Sequence, residues 1–324
     1  MTTGINRIRT DFIDNTAVQD QNAPYNDNLD LILKHASQIF DIPAMINSTQ
    51  GEQQIIDYYT TNKITYRLLN SWEGFFHCGL SYDGKHKRKD FEEQVKIVEG
   101  YIRDIDAKKV LELAYGLGPN SAFLARRNPF VTFDGIDISN PPLKQYSKIQ
   151  NLHLQLGDYH NLSQFEDNMY DVVFIIEALC YSADKLQVLR EVKKKLRKDG
   201  FFIVIDFYLR DRVIPLTKSE CTMWKLLEKS FSFDKLESVA DVEDYMQKEY
   251  SIVVAKDVSK CILPSLMKVE VLNRIYFDCP RFARVINKLL PFEITKGSLA
   301  ATLLPISIRR QLGCYFIHVL KNDN

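Results

Sequence analysis

The chain has 324 residues, which is enough for one large domain with an additional segment, and 42 Lys and Arg balance 42 Asp and Glu to a formal net charge of zero. This balance argues against a protein that binds nucleic acid through its overall charge, so no nucleic-acid partner is expected. The six cysteines form no C-x-x-C pair, so neither a disulfide framework nor a metal site is predicted. We recognise no signal peptide and no apolar stretch that could span a bilayer, so we expect a cytoplasmic protein.

The first part of the chain predicts a tail and then helices. Residues 1–27 are rich in Asn, Asp, Gln and Thr and show no sustained period, which predicts a mobile tail. Apolar residues then recur at helical spacing over 29–40 and 55–69. Residues 28–90 are therefore interpreted as a helical cap over a ligand site, and a further helix over 91–105 leads into the main domain.

The main domain, 91–324, alternates apolar strands with helical segments, which predicts an α/β fold with a parallel sheet and helices on both faces. A helical, substrate-covering insert is predicted at about 210–310, with a helical part at 262–290. It includes the apolar segment 297–308, which Pro305 interrupts. The predicted strands are 109–113, 131–136, 151–155, 171–176, 201–207, 250–256 and 314–320.

A glycine turn follows the first predicted strand. Gly116 and Gly118 can take positive φ and bring the backbone against a ligand. Asp137 lies about twenty residues later, at the end of the next strand, where a carboxylate can accept hydrogen bonds from two ribose hydroxyls. The third glycine of a dinucleotide site and the G-x-x-x-x-G-K-[ST] loop are both missing, which favours a nucleoside ligand without phosphates.

These residues resemble a known family. Residues 112–118, Glu-Leu-Ala-Tyr-Gly-Leu-Gly, are similar to the E-L-G-C-G-x-G motif of class I S-adenosylmethionine-dependent methyltransferases, and Asp137 matches that family's ribose-binding acid. Residues 156–159, 170–179 and 189–202 resemble the later motifs in the same order. The resemblance implies a Rossmann-like class I methyltransferase sheet with S-adenosylmethionine as cofactor. The cofactor contacts that it implies are Glu112, Gly116, Gly118, Asn120, Asp137, Ile138, Asp158 and Tyr159.

Two positions depart from the family motif. Ala114 and Tyr115 replace the usual Gly and small Cys, and we expect that neither position needs a glycine backbone as strictly as Gly116 and Gly118 do. A tyrosine at this position could crowd the methionine end of the cofactor. A non-catalytic, Rossmann-like binding or scaffold protein therefore remains an alternative.

A looser resemblance concerns the methyl acceptor. Residues 58–80 resemble the segment that precedes the core in sterol, tocopherol and geranyl diphosphate C-methyltransferases, where an aromatic helix and an H-x-G turn lie over the cofactor. Aromatic faces can hold an apolar acceptor and stabilise a cation. His77 and Glu177 are the candidate catalytic residues, since removal of a proton from the acceptor can need a base. The candidate acceptor contacts are Tyr59, Trp72, Cys180 and Tyr181.

The sequence therefore predicts a methyltransferase that acts on a small, largely apolar metabolite, such as a terpenoid, polyketide or related natural product, with carbon as one candidate acceptor atom. O- or N-methylation of a phenol, sugar or amine remains an alternative. The acceptor atom, the need for a base, the pathway and the oligomeric state, including a homo-oligomer, are left open by the sequence.

Overall fold

The computed structural model describes residues 28–49, 51–69, 73–139, 144–233 and 235–324. The predicted tail at residues 1–27 and the candidate acceptor contact Trp72 lie outside the described residues. All structural statements below concern the described ranges.

A seven-stranded mixed sheet forms the centre of the described fold, in the order β3-β2-β1-β4-β5-β7-β6. The first five strands run parallel, and β7 lies antiparallel between β5 and β6. The predicted α/β fold with a Rossmann-like sheet is confirmed. The strands are β1 Lys109–Leu113, β2 Thr132–Asp137, β3 Leu152–Leu156, β4 Tyr170–Ile176, β5 Leu196–Leu209, β6 Ser251–Asp257 and β7 Gly313–Lys321.

The central strands have helices on both faces, and their sequences are nearly continuous apolar runs for that reason. In β4, Val172, Val173, Phe174 and Ile175 have no solvent exposure. Strand β5 begins earlier than predicted because Leu196 pairs with Tyr170 across a register irregularity. The parallel strands β1, β2 and β4 end at the same edge of the sheet, so the segments that follow them lie close together.

The described helices before and within the first half of the sheet are α1 Leu29–Ile39, α2 Ile42–Asn47, α3 Glu52–Leu69, α4 Glu93–Asp104, α5 Pro119–Arg127 and α6 Lys185–Lys195. The later helices are α7 Lys218–Phe231, α8 Val239–Glu249, α9 Ser259–Asp278, α10 Pro280–Leu289 and α11 Phe292–Arg309. Helix α11 packs against α9, α7 and α3, and α1 packs against α7, α9 and α10. Helices α1 to α3 from the start of the described chain therefore form one helical layer with α7, α9, α10 and α11.

Two helical regions differ from the sequence interpretation. Helix α11 continues through Pro305, because burial of Leu303, Leu304 and Ile306 around it outweighs the lost backbone hydrogen bond. Helices α7 and α8 were not predicted as separate elements, although a capping box of Thr217 and Glu220 marks the start of α7. Across the described ranges, no helix combines the length and apolar character needed to span a bilayer.

Candidate cofactor and acceptor site

The turn after β1 has three residues in the left-handed region of backbone conformation. Gly116 and Gly118 have φ of 58° and 84°, and Ala114 has φ of 55°. We expected Ala114 to need a glycine backbone less strictly than Gly116 and Gly118 do, but its φ is almost the same as that of Gly116. A Cβ is disfavoured in this region by about 1 to 2 kcal/mol. The turn therefore holds backbone strain at Ala114.

Asp137 joins this turn to the end of β2. Its Oδ2 accepts a hydrogen bond from the Gly116 backbone N–H at 2.9 Å, and its Oδ1 accepts one from the Ser139 N–H at 2.9 Å. Oδ1 also accepts a hydrogen bond from the Ser139 hydroxyl at 3.2 Å. Asp137 thus fixes the shape of the turn at the end of β2.

A cavity of about 360 Å³ lies at the carboxyl edge of the sheet, and we call it the nucleoside cavity. Its walls come from the turn after β1, the ends of β2 and β4, the loop after β3 and helix α3. It brings together most of the residues that the sequence singled out: Tyr59, His77, Gly116, Asn120, Asp137, Ile138, Asp158, Tyr159, Glu177 and Tyr181.

Glu112 and Gly118 do not line the nucleoside cavity. The buried Glu112 carboxylate accepts hydrogen bonds from Asn120 Nδ2 at 2.9 Å and from the Ser121 backbone N–H at 3.1 Å, at the start of α5. Burial raises the pKa of Glu112 to about 7. Gly118 lies against Tyr146, where a Cβ would come within 2.9 Å of the ring. Both residues therefore support the turn from outside the nucleoside cavity.

Tyr115 lines the nucleoside cavity, but most of its ring is buried against β2. Only 2% of the residue is exposed, and a Cβ added to Gly135 would lie 3.1 Å from Tyr115 Cδ1. Because Gly135 has no side chain, the tyrosine fits at position 115, where the family motif has a small residue. The pKa of Tyr115 is raised, mainly by burial.

The loop after β3 is held by a histidine that the sequence analysis did not select. Asp158 Oδ1 lies 2.7 Å from His160 Nδ1, and His160 Nε2 lies 2.7 Å from Ser182 Oγ. The Tyr159 hydroxyl donates to the Ala178 carbonyl at 3.1 Å. These contacts join the loops after β3 and β4 on one side of the nucleoside cavity. The spacing of two residues between Asp158 and His160 was the feature of the sequence that could have indicated this contact.

His77 is buried, and protein groups contact both of its ring nitrogens. Nδ1 lies 3.0 Å from the Cys78 carbonyl oxygen, and Nε2 lies 3.1 Å from Asn120 Oδ1. Burial lowers the pKa of His77. This arrangement connects the segment before α4 to α5, and both ring nitrogens face protein oxygen atoms, so a proton on either nitrogen is held by a protein acceptor.

Glu177 follows β4 with φ of 51°, a strained conformation for a residue with a side chain. Its Oε1 accepts hydrogen bonds from the Cys78 backbone N–H at 2.7 Å and from the Tyr315 hydroxyl at 2.8 Å. Burial, with a smaller contribution from Asp206, raises the pKa of Glu177 to about 8. The site therefore holds a carboxyl group whose charge changes near neutral pH.

A second large cavity, of about 300 Å³, lies among α3, α9, α10 and α11, and we call it the apolar chamber. It meets the nucleoside cavity at Phe76, His77 and Glu177, which line both. Its remaining walls are mainly apolar and include Leu266, Val269, Tyr276, Ile286, Leu290, Ile294, Ala301 and Leu304.

The candidate acceptor contacts separate into two groups. The Tyr59 ring lies 5.5 Å from the Tyr181 ring and 5.8 Å from that of Phe76, so these aromatics form one cluster at the nucleoside cavity. Cys180 lines a smaller cavity of about 40 Å³, and its backbone N–H donates to Asp206 Oδ2 at 2.9 Å. Among the described residues, no group of His, Cys, Asp and Glu could hold a metal ion.

Residues 104–257, which contain the strands and loops of the nucleoside cavity, match a family model described as a methyltransferase domain. This part of the chain is a methyltransferase domain. The predicted family resemblance is confirmed, and S-adenosylmethionine is the cofactor expected for such a domain.

Curated relatives of the methyltransferase domain are similar over about one hundred residues. Demethylmenaquinone methyltransferase of Thermotoga maritima is 29% identical over 118 residues, which are 36% of this chain and 51% of that protein. A phthiotriol/phenolphthiotriol dimycocerosates methyltransferase of Mycobacterium tuberculosis is 33% identical over 107 residues, 32% of this chain and 39% of that protein. The chain thus spans about half or less of the length of these relatives.

Solved structures share the fold over most of the chain. A cyclopropane synthase of Mycobacterium tuberculosis has a TM-score of 0.62 at 13% identity, covering 85% of this chain and 100% of that one. A geranyl diphosphate C-methyltransferase of Streptomyces coelicolor has a TM-score of 0.57 at 12% identity, covering 82% and 98%. The shared fold extends beyond the methyltransferase domain into the helical layer.

Proposed function

We propose that the protein is an S-adenosylmethionine-dependent methyltransferase whose acceptor is a small, largely apolar metabolite, such as a lipid, terpenoid or polyketide. The observation that carries this proposal is the meeting of the nucleoside cavity and the apolar chamber at Glu177. A donor site and an apolar acceptor site that share a wall would hold two reactants side by side, which is the main requirement for methyl transfer.

The residues of the nucleoside cavity fit the proposed cofactor. Asp137 lines the cavity at the end of β2, where its carboxylate would accept hydrogen bonds from ribose hydroxyls, and the turn at Gly116 brings backbone close to the cavity. Asp158, Tyr159 and Ile138 would surround the adenine. The bound cofactor supplies a methyl group activated by a sulfonium. Glu112 and Gly118 would contribute by holding the turn, and Asn120 both lines the cavity and contacts His77.

The acceptor would occupy the apolar chamber with its reacting atom directed towards Glu177. Tyr59, Phe76 and Tyr181 would pack on the reacting end, and their aromatic faces would favour a neighbouring cation. The layer formed by residues 28–90 and by the insert at about 210–310 would act as the substrate-covering cap. The curated relatives support an apolar acceptor by their names, which refer to a quinone precursor and to long-chain lipids.

Glu177 would take the proton that an O–H or C–H acceptor loses when it is methylated. A base works best when its pKa lies near the working pH, and the pKa of about 8 at Glu177 meets this condition. His77 would be a positioning residue, because its ring joins the Cys78 carbonyl to Asn120. Cys180 would support the loop after β4 from the smaller cavity.

The test is transfer of a labelled methyl group from S-adenosylmethionine to a panel of acceptors that contains demethylated quinones, prenyl compounds and fatty acids beside sugars and amines. We expect label in an apolar product, and loss of about two orders of magnitude in rate for Glu177→Gln. His77→Gln is the comparison, and a smaller loss is expected. Transfer only to sugars or amines would contradict the apolar acceptor, and binding without transfer to any acceptor would favour the scaffold alternative.

A further inference from the structure

Helix α10 exposes a row of large apolar side chains. Phe282, Val285 and Leu289 are 53%, 55% and 73% exposed, and their spacing of three and four residues places them on one side of the helix. The buried Ala283 faces the protein on another side. Leaving three adjacent large apolar side chains in water is unfavourable, and such patches mark contact surfaces.

Basic side chains lie beside this apolar row. Arg281, Arg284 and Lys288 are exposed and also follow helical spacing, so they form a parallel row on the neighbouring side of α10. The sequence from Pro280 to Phe292 contains no Asp or Glu. A helix with an apolar row and an adjoining basic row suits a surface that is apolar inside and negatively charged outside.

The apolar row continues towards the apolar chamber. Leu290 and Phe292, which follow α10, are 43% and 52% exposed. Ile286 and Leu290 also line the apolar chamber. Leu290 is therefore both exposed and part of the chamber wall, so it connects the exposed row to the apolar chamber.

We propose that α10 and residues 290–292 are a docking surface for an anionic phospholipid bilayer, on which the helix lies in the plane of the membrane. Phe282, Val285 and Leu289 would enter the acyl boundary, and Arg281, Arg284 and Lys288 would contact anionic headgroups. The apolar chamber would then open at the membrane, where apolar molecules collect. A second copy of the chain is a poorer occupant, because α10 and residues 290–292 contain no Asp or Glu that could pair with the basic row of the other copy in a two-fold contact.

The test is co-sedimentation of the full chain with vesicles of phosphatidylcholine alone and with vesicles that also contain phosphatidylglycerol. We expect binding to the anionic vesicles that weakens with added salt, since exposed charges are screened. Arg281→Glu with Arg284→Glu and Lys288→Glu should weaken binding by at least about one hundredfold, since each basic side chain contributes about 1 kcal/mol and each glutamate adds repulsion. Phe282→Ser with Val285→Ser and Leu289→Ser should weaken it by at least about tenfold.

Phe130→Ser is the matched control, because Phe130 is 92% exposed and belongs to the loop before β2. Its vesicle binding should equal that of the unchanged chain. Each variant is checked by circular dichroism, so that a loss of fold is recognised. No binding to anionic vesicles, or equal binding by the α10 variants, would overturn the proposal. A dimer that the serine variant dissociates would also overturn it, in favour of a contact between copies. Neither readout requires methyl transfer, so failure here is distinct from failure of the proposed function.

Discussion

Replacing Glu177 by Gln removes the charge of a carboxyl group and keeps the shape and the hydrogen bonds of the side chain. The amide oxygen can still accept from the Cys78 N–H and the Tyr315 hydroxyl, which contact Oε1 in the structure. The pKa of Glu177 is raised from 4.5 to about 8, mainly by burial. The folded chain therefore holds the proton over a range of pH in which the unfolded chain has released it.

The sign of the effect follows from this proton balance. The stabilisation associated with protonated Glu177 is present below pH 4.5 and is lost as the pH rises towards about 8. At about 1.4 kcal/mol for each pH unit, the loss amounts to at most about 5 kcal/mol, and water in the cavity would reduce it. At pH 4.5, Glu177→Gln and the unchanged chain should therefore have similar free energies of unfolding. As the pH rises to 8, Glu177→Gln should become progressively more stable than the unchanged chain.

The assay is equilibrium unfolding in urea at a series of pH values for both chains, because their difference isolates the one titrating group. Glu112→Gln is the matched control: the pKa of Glu112 is raised only to about 7, so its difference curve should level off earlier. Identical pH dependence of the unchanged chain and of Glu177→Gln would refute the buried, raised-pKa environment on which the proposed base depends.

Three further changes test the remaining parts of the site. Ala114→Gly should raise the free energy of unfolding in urea by about 1 kcal/mol, because glycine relieves the strain of a positive φ. The control Ala125→Gly, in α5, should lower the free energy of unfolding by at least about as much. If both variants changed the free energy of unfolding equally, Ala114 would not be strained. Asp137→Ala should weaken S-adenosylmethionine binding, measured by calorimetry, by about tenfold or more. Asp244 is exposed, so the control Asp244→Ala should bind the cofactor as the unchanged chain does. If Asp137→Ala also bound it unchanged, Asp137 would not belong to the cofactor site. Ala301 lines the apolar chamber, so Ala301→Phe should fill part of it and raise the KM for an apolar acceptor by about tenfold. The Kd for S-adenosylmethionine should stay unchanged. An unchanged KM would show that the acceptor lies outside the apolar chamber.

The sheet and the turn after β1 were predictable because local patterns specify them. Apolar runs bounded by polar residues gave most strands to within a few residues, and the order of the motifs gave the parallel arrangement of β1 to β5. The left-handed backbone at Ala114 was not predicted, because alanine normally avoids it and the surrounding turn imposes it here. In the same way, room for Tyr115 depends on Gly135, which lies on the neighbouring strand and far from it in the sequence.

The acceptor side was less predictable, since it depends on packing between distant helices. Cys180 is adjacent to Tyr181 in the sequence, yet the two residues differ because Tyr181 reaches the nucleoside cavity and Cys180 lines only the smaller cavity. The apolar chamber takes its walls from α3, α9, α10 and α11, so no single segment could indicate it. The pKa of Glu177 likewise depends on tertiary structure, since burial raises it and hydrogen bonds from Cys78 and Tyr315, in two other parts of the chain, lower it.

The central claim is that the nucleoside cavity binds S-adenosylmethionine. Calorimetric titration of the folded protein with S-adenosylmethionine and with S-adenosylhomocysteine tests it most directly. The account predicts micromolar binding of both compounds, because they share the ribose and adenine that Asp137, Asp158 and Tyr159 would contact. An absence of heat with either compound, from protein shown by circular dichroism to be folded, would contradict the account and favour a scaffold role.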